Sequence, residues 1–435
     1  MTTPKNPQPA MQGFNLHKIK KALLLGVYKS GGDKEICEDH LRELHRLCET
    51  FGIHDTLTIT CPIKKYDSAT YLGSGKLEEL SILAKEQGIE LVIFDDEISP
   101  HQQRNVEAIF QLPIIDRTEL IIEVFAQRAQ TKEAKLQIEL AKVKYQFPRL
   151  RKLWTHLSRQ STGGGGFLKG EGEKQIEIDR RLLRRRIEVL QKEIEEVVNQ
   201  RTTQRVARLR SGIPTFAIIG YTNAGKSTLL KTLTSADVLV EDKLFATLDT
   251  TTRKFLLPNR QEILLIDTVG FIRKIPHTLV ASFKSTLEEA VHTDILLHLI
   301  DVSHPQAIEQ AEATLEVLKE LGAADHPIIT VLNKIDACQD PMILTKLRLK
   351  FPKTVQISAL HKTGLDELSE VMIEELSRLR KIFTLRIPQS QYALVAELMK
   401  EGRVIFSDYE ENDVLLKIEI PAKLEYKVIP FLEKG

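Results

Sequence analysis

Eight consecutive residues, Gly220-Tyr221-Thr222-Asn223-Ala224-Gly225-Lys226-Ser227, set two glycines, a lysine and a hydroxyl at the spacing G-x-x-x-x-G-K-S. The chemistry that needs this pattern is phosphate binding. Glycines let the backbone curl so that successive N–H groups face phosphate oxygens at a helix N-terminus, whose dipole favours anions. Lys226 offers a positive charge to β- and γ-phosphates, Ser227 offers a hydroxyl to Mg2+, and Thr228 carries the chain into the helix. The flanks agree: Phe216-Ala217-Ile218-Ile219 reads as a buried strand before the loop, and Thr228–Thr234 as a helix after it. Asp267 stands 47 residues beyond Gly220, at the end of the apolar run Ile263-Leu264-Leu265-Ile266, and is followed by Thr268-Val269-Gly270. A carboxylate at the end of a parallel strand can hold a metal-bound water, and a glycine N–H can approach a γ-phosphate closely.

A third motif speaks to the base. Asn333-Lys334-Ile335-Asp336 follows the strand-like Ile328-Ile329-Thr330-Val331-Leu332. Asp336 can accept hydrogen bonds from both N1–H and the 2-amino group of guanine. Adenine offers neither donor, and a carboxylate left without partners discriminates strongly. Asn333 can bond the base edge or brace the phosphate loop, and the alkyl stem of Lys334 can lie along the ring. Ser358-Ala359-Leu360, after the last strand candidate, can offer backbone N–H to the guanine O6. The set points to GTP and GDP as ligands, with Mg2+ as cofactor.

These residues need a doubly wound sheet to bring them together, and the chain has room for it. Its 435 residues suggest about three domains. Its 61 Lys+Arg against 60 Asp+Glu exclude a uniformly basic nucleic-acid coat protein but not a local basic patch. With 42% hydrophobic and 28% charged residues, general disorder is excluded. Cys37, Cys48, Cys61 and Cys338 form no C-x-x-C pair, so neither a zinc site nor a disulfide framework is indicated. No apolar run approaches the ~18 residues of a membrane span, and the polar start lacks a signal core, so a cytoplasmic location is expected.

Organisation follows from the patterning. Residues 1–19 read as a flexible start and 20–128 as a small α/β domain with a mostly parallel sheet, its first helix Asp33–Phe51 opened by an Asp cap. Residues 129–212 read as a hairpin of two long charged helices, 129–154 and 173–209, joined by a glycine-rich loop from Ser161 to Gly172. Between Arg149 and Arg186 there are 11 Lys/Arg and 4 Asp/Glu, so the near-zero total hides a basic element. Residues 213–381 form the expected nucleotide domain, with strands at Thr215–Gly220, Ile263–Asp267, Ile295–Asp301, Ile328–Asn333 and Val355–Ser358. Residues 382–435 read strand, helix, strand, strand, helix, a small α+β domain. The fold class is therefore α/β.

In this order, the four stretches resemble the first, third, fourth and fifth nucleotide motifs of a translation-factor-class GTPase. Phe245-Ala246-Thr247-Leu248-Asp249-Thr250-Thr251 resembles the switch I of the Obg–HflX superfamily. By that resemblance Thr247 places its hydroxyl on Mg2+ alongside Ser227, and Lys226, Thr247 and Gly270 carry catalysis; by chemistry alone Thr250, Thr251 and Thr252 are rivals to Thr247. Tyr71-Leu72-Gly73-Ser74-Gly75-Lys76-Leu77-Glu78-Glu79-Leu80, and the glycine loop running into Gly170-Glu171-Gly172-Glu173-Lys174-Gln175, resemble the HflX family over roughly residues 20–380. Family members commonly show Gly-x-Gly-Glu-Thr-Gln, and here Lys174 takes the Thr place. Gly73-Ser74-Gly75-Lys76 is too short for a second phosphate loop and reads as a turn capping a helix.

The resemblance implies a ribosome-associated GTPase acting on the large (50S) subunit and its rRNA as a monomer, splitting or rescuing ribosomes under stress. The basic hairpin, with Trp154, His156 and Phe167 among its cations, suits phosphate backbones and splayed bases. The alternative is a regulatory GTP-binding module whose hairpin docks a protein. Small signalling GTPases place a Gln just after the switch glycine, and this chain has Phe271, so slow intrinsic hydrolysis is expected, with a group supplied by a partner. Arg253 and Arg273 lie near the switches in sequence, without an assigned role.

Overall fold

The computed structural model describes residues 16–149, 169–210, 213–234, 244–245, 251–274, 291–323, 326–410, 412–421 and 424–432. They belong to two compact units, one within Met1–Gln127 and Ala141–Ile187, the other within Arg128–Leu140 and Glu188–Gly435.

The first unit alternates β1 (Lys21–Tyr28), α1 (Asp33–Phe51), β2 (Asp55–Pro62), α2 (Ser74–Glu86), β3 (Leu91–Phe94), α3 (Pro100–Phe110), β4 (Ile114–Asp116) and α4 (Arg117–Arg128). The strands lie in the order β2-β1-β3-β4, all parallel. β3 is buried along its whole length, as a central parallel strand must be, and its Leu-Val-Ile-Phe is wholly apolar. Asp33 is the first residue of α1 and not its cap: Gly32 holds the cap position, and Asp33 reaches back to accept the Ser30 N–H at 3.1 Å. The helix expected over 129–154 begins at Lys132 and its α-helical part ends at Gln146, while residues 150–154 lie outside the described residues. After α4 the chain breaks, and Thr131 Oγ1 accepts from Ala134 N at 3.2 Å, starting α5 (Lys132–Gln146) with a side-chain cap.

α6 (Lys169–Arg210) runs for 42 residues and takes in Gly170, Glu171 and Gly172, which the sequence pattern gave to the loop. In the first turn of a helix the N–H groups lack intrahelical acceptors anyway, so glycine is tolerated there better than in the interior. Trp154, His156, Phe167 and the Gly163–Gly166 run lie outside the described residues.

In the second unit, β5 (Thr215–Gly220), α7 (Lys226–Thr234), β6 (Thr251–Leu256), β7 (Glu262–Asp267), β8 (Ile295–Asp301), α8 (Ala307–Glu320), β9 (Ile328–Asn333), α9 (Pro341–Lys350), β10 (Thr354–Gln356) and α10 (Leu365–Leu379) build a six-stranded sheet. Its order is β10-β9-β8-β5-β7-β6. All neighbours are parallel except β6, which runs antiparallel to β7. The chain proceeds from β5 to β7 on one side and returns to β8 on the other, so the topological switch point lies at the carboxyl end of β5, beside Gly220. The edge strand β6 was not legible: Thr-Thr-Arg-Lys-Phe-Leu is mostly polar and exposed, as edge strands are, and carries no apolar run. Phe216, Ile218, Leu229, Ile263, Leu265, Leu297, Leu299, Ile329, Val331 and Leu368 are among the core side chains.

The last segment forms β11 (Arg380–Pro388), α11 (Tyr392–Glu401), β12 (Arg403–Glu410), β13 (Asp413–Pro421) and α12 (Glu425–Val428), the strand-helix-strand-strand-helix order the sequence suggested. The antiparallel sheet has the order β11-β13-β12. No helix among the described residues is long and apolar enough to cross a membrane.

His298, on the central strand β8, is buried, and neither ring nitrogen finds a hydrogen-bond partner among the described residues. Its ring meets Phe351 edge-on, centroids 6.1 Å apart. Burial pushes the imidazole down to about 4, against an ordinary value of 6.5. The unfolded chain therefore binds a proton that the folded chain refuses between pH 6.5 and 4, and stability falls as pH drops through that window. The effect reaches ~3 kcal/mol at its acid end. Urea unfolding followed by circular dichroism should show a shallower loss of stability over that range for His298→Phe than for the wild type; equal slopes would show that His298 does not set it.

Candidate active site

The phosphate-loop residues leave β5 in unusual backbone conformations. Gly220, Asn223 and Gly225 have φ of 151°, 61° and 95°. A Cβ on Gly220 would lie 2.3 Å from the Leu299 carbonyl oxygen, and one on Gly225 would lie 2.4 Å from Asn333 Nδ2, so only glycine fits at either place. Lys226 opens α7 and is buried, with Nζ donating to the carbonyls of Tyr221 at 2.7 Å and Gly220 at 3.2 Å. Burial pushes its ammonium down to about 8; the Asp267 carboxylate opposes the shift and Lys334 adds to it.

Ser227 Oγ donates to Asp267 Oδ2 at 2.8 Å. A hydroxyl and a carboxylate side by side are hard oxygen donors of the kind a small divalent cation takes together with phosphate and water. Among the described residues no group of three or more His, Cys, Asp or Glu could hold a metal ion. The Thr222 hydroxyl is buried with no hydrogen-bond partner among the described residues, at the centre of the same loop.

Beyond β7, Thr268 anchors its hydroxyl on the Ile218 carbonyl at 2.8 Å, and Val269 is buried. A Cβ on Gly270 would lie 2.9 Å from both Lys226 Nζ and Thr222 Cα, so this backbone packs directly on the phosphate loop. Phe271 fastens it there: Thr222 N donates to the Phe271 carbonyl at 2.7 Å, and Phe271 N donates to Gly220 O at 3.1 Å. The Phe271 ring is buried in the core and points no polar group at the loop. Tyr221 Oη accepts from the Arg273 backbone N–H at 2.6 Å, which ties the next turn down as well.

The base-reading motif is joined to the same loop through one side chain. Asn333 is 2% exposed; its Nδ2 donates to the Ala224 carbonyl at 2.8 Å, and its Oδ1 accepts from Ala359 N at 3.0 Å. Of the two roles open to Asn333, bracing is therefore the one it fills. Asp336 sits in a short 3-10 turn, Ile335–Ala337. A hydrogen bond from the Ser358 side chain holds its carboxyl below the usual carboxylate range, with His361, 3.7 Å away, acting in the same direction. Ser358 is buried, its backbone pairs with Thr363, and its Oγ accepts from His361 N at 3.1 Å. Ala359 O accepts from Thr232 Oγ1 at 3.0 Å, while the Leu360 side chain is exposed.

Gly220 to Thr228, Asp267 to Gly270, Asn333 to Asp336 and Ser358 to Leu360 thus meet at one end of the sheet. Phe245 is buried, whereas Ala246, Thr247, Leu248 and Asp249 lie outside the described residues. Two polar neighbours were missed by sequence reasoning. Asp301, at the end of β8, lies 2.6 Å from Lys334 Nζ, and His361 flanks Asp336. A carboxylate closing an apolar strand was the available signal for Asp301; His361 offered none.

Three family descriptions match consecutive stretches: GTP-binding GTPase N-terminal over residues 38–126, GTP-binding GTPase middle region over 128–208, and 50S ribosome-binding GTPase over 215–334. GTPase HflX of Chlamydia pneumoniae is 48% identical over 415 residues, which cover 95% of this chain and 88% of that one. GTPase HflX of Caldanaerobacter subterraneus is 42% identical, covering 95% and 94%, and that of Escherichia coli K12 is 40% identical, covering 92% and 94%. With identity sustained from the α/β unit through the nucleotide sheet, and every described nucleotide motif gathered at one sheet end, the chain belongs to the HflX family of GTPases.

Proposed function

We propose that the chain binds GTP and GDP at the carboxyl end of β5, hydrolyses GTP there, and acts on the large ribosomal subunit, splitting or rescuing ribosomes under stress. The observation that carries the nucleotide reading is the Asn333 bridge, which joins the phosphate loop at Ala224 to the base loop at Ala359. In this reading the loop amides from Asn223 to Thr228 cradle the phosphates, and Lys226 exchanges its two carbonyl acceptors for β- and γ-oxygens. Gly270 offers its N–H to the γ-phosphate and Asp336 holds guanine; the Ala359 N–H is already taken by Asn333 Oδ1, so the contact to the guanine O6 passes to the Leu360 N–H. Ser227, Asp267 and, by family resemblance, Thr247 are the residues that would hold Mg2+, whose charge neutralises the phosphates. The Phe271 ring cannot orient an attacking water, so a group from a docked partner has to complete hydrolysis.

Support for a ribosomal partner comes from the description matched over 215–334 and from α6, where Arg181, Arg184 and Arg185 are exposed. The reading makes the chain a cytoplasmic monomer, since that is where ribosomes are. A second reading has its own observation: Ile178, Leu182 and Val189 on α6 are 40%, 42% and 44% exposed at spacings that share one helix face. An apolar stripe between arginines also suits a protein partner.

The nucleotide site is tested by two substitutions. Asp336→Asn should exchange guanine for xanthine preference, read by competition between GTP and XTP; unchanged GTP selectivity removes Asp336 from the base site. Lys226→Ala should weaken GTP binding by about 100-fold or more, as expected for a lost buried phosphate charge. In the wild type, free Lys226 loses its proton above pH 8 whereas a phosphate-bound ammonium keeps it, so binding takes up a proton and affinity should fall about tenfold per pH unit above 8. For the partner, steady-state GTP hydrolysis with 50S subunits should rise strongly at low salt and less at moderate salt. Neutralising Arg180, Arg181, Arg184 and Arg185 together should reduce that rise while leaving GDP affinity intact. No stimulation by 50S subunits, with intact GTP binding, would favour the protein-docking reading.

A further inference from the structure

We propose that Asp301 is a positioning residue of the base site, acting through Lys334. The inference rests on the guanine-nucleotide reading and extends it to a residue outside the family's nucleotide motifs. Lys334 follows Asn333 at the end of β9 with φ of +64°, in the left-handed region that is uncommon for residues with a Cβ. That turn brings Lys334 Nζ to 2.6 Å from Asp301 Oδ2. Asp301 is itself held: Oδ1 accepts from Ser303 N at 3.0 Å and from Ser303 Oγ at 2.5 Å. Both carboxylate oxygens are thus engaged, one by Ser303 in its own turn and one by the lysine.

The two residues are cross-strand consequences of one register. β8 and β9 pair so that Asp301 stands opposite Asn333, and Val302 N donates to the Asn333 carbonyl at 3.0 Å. The strand end that carries the brace to the phosphate loop also carries the carboxylate that fixes the next side chain. With its ammonium pinned on Asp301, the four-carbon stem of Lys334 is no longer free among rotamers. Ordering such a side chain on binding costs free energy, and a stem already fixed avoids that cost. Its apolar length is then available to cover one face of a purine. The ion pair is partly buried, the Asp301 side chain being 13% exposed and that of Lys334 30%.

The role predicts coupling. GDP affinity of the full chain, measured with a fluorescent GDP without added metal, should fall about tenfold in Asp301→Asn and by a similar factor in Lys334→Ala. The double variant should bind no more weakly than Lys334→Ala alone, because Asp301 has nothing left to position. Inosine diphosphate should lose the same factor as GDP in Asp301→Asn, since the stem meets the ring face and not the 2-amino edge. Ser303→Ala is the milder second variant should Asp301→Asn not fold; it should cost about threefold in the wild type and nothing in the Lys334→Ala chain. Losses that multiply in the double variants, or wild-type affinity in both Asp301→Asn and Ser303→Ala, would overturn the proposal while leaving the guanine site standing. A wild-type chain that fails to bind GDP would remove the site itself and the proposal with it.

Discussion

Everything in the nucleotide domain hangs on one buried amide. Asn333 has a donor and an acceptor, and both are spent on backbone of other loops, Ala224 on one side and Ala359 on the other. These partners lie 109 and 26 residues away in sequence. Each bond alone contributes about 1 kcal/mol net, but an amide this buried cannot lose a partner without leaving a polar atom stranded, which costs about 1–3 kcal/mol. The brace also dictates its surroundings. Gly225 must lack a side chain because a Cβ would lie 2.4 Å from Asn333 Nδ2. The phosphate loop, the base loop and the last strand therefore share a single geometry.

The other half of the site is fastened by backbone. Phe271 exchanges hydrogen bonds with Gly220 and Thr222, so the segment after Asp267 is laid against the phosphate loop, with Gly270 pressed on Lys226. In consequence Lys226 is dry and its proton is held loosely, while its ammonium bonds two carbonyls that a phosphate can replace. A buried cation pre-oriented among oxygens needs little reorganisation when its ligand arrives. The same segment carries Phe271, whose ring is buried in the core and offers the loop no polar group.

Much of this was legible in the residues themselves. Strands Thr215–Gly220, Ile295–Asp301 and Ile328–Asn333 carry apolar runs broken only at His298 and Thr330, the mark of strands buried on both faces, and their observed limits match that reading. The edge strand β6 has no such run, because one of its sides meets solvent. The cap was set at Asp33, one residue too late, since a carboxylate in a first helical turn and one at a cap look alike in sequence. The helix expected from 129 starts instead at Lys132, because the Thr131 hydroxyl caps it and composition alone does not mark that position.

The sequence by itself determined the ligand chemistry: glycines, a lysine and a hydroxyl at fixed spacing, then carboxylates at strand ends, are local patterns, and local patterns survive in one dimension. Only the tertiary structure decided how those groups are used. It gave Asn333 to bracing instead of base contact, set Asp301 against Lys334, and buried Phe271. Each of these depends on which strands lie side by side, and strand order is a long-range property: β8 and β9 pair residue for residue across 32 positions of sequence, Asp301 to Asn333. Hydrogen bonds act over about 3 Å, so their partners exist only once the sheet has closed the distance.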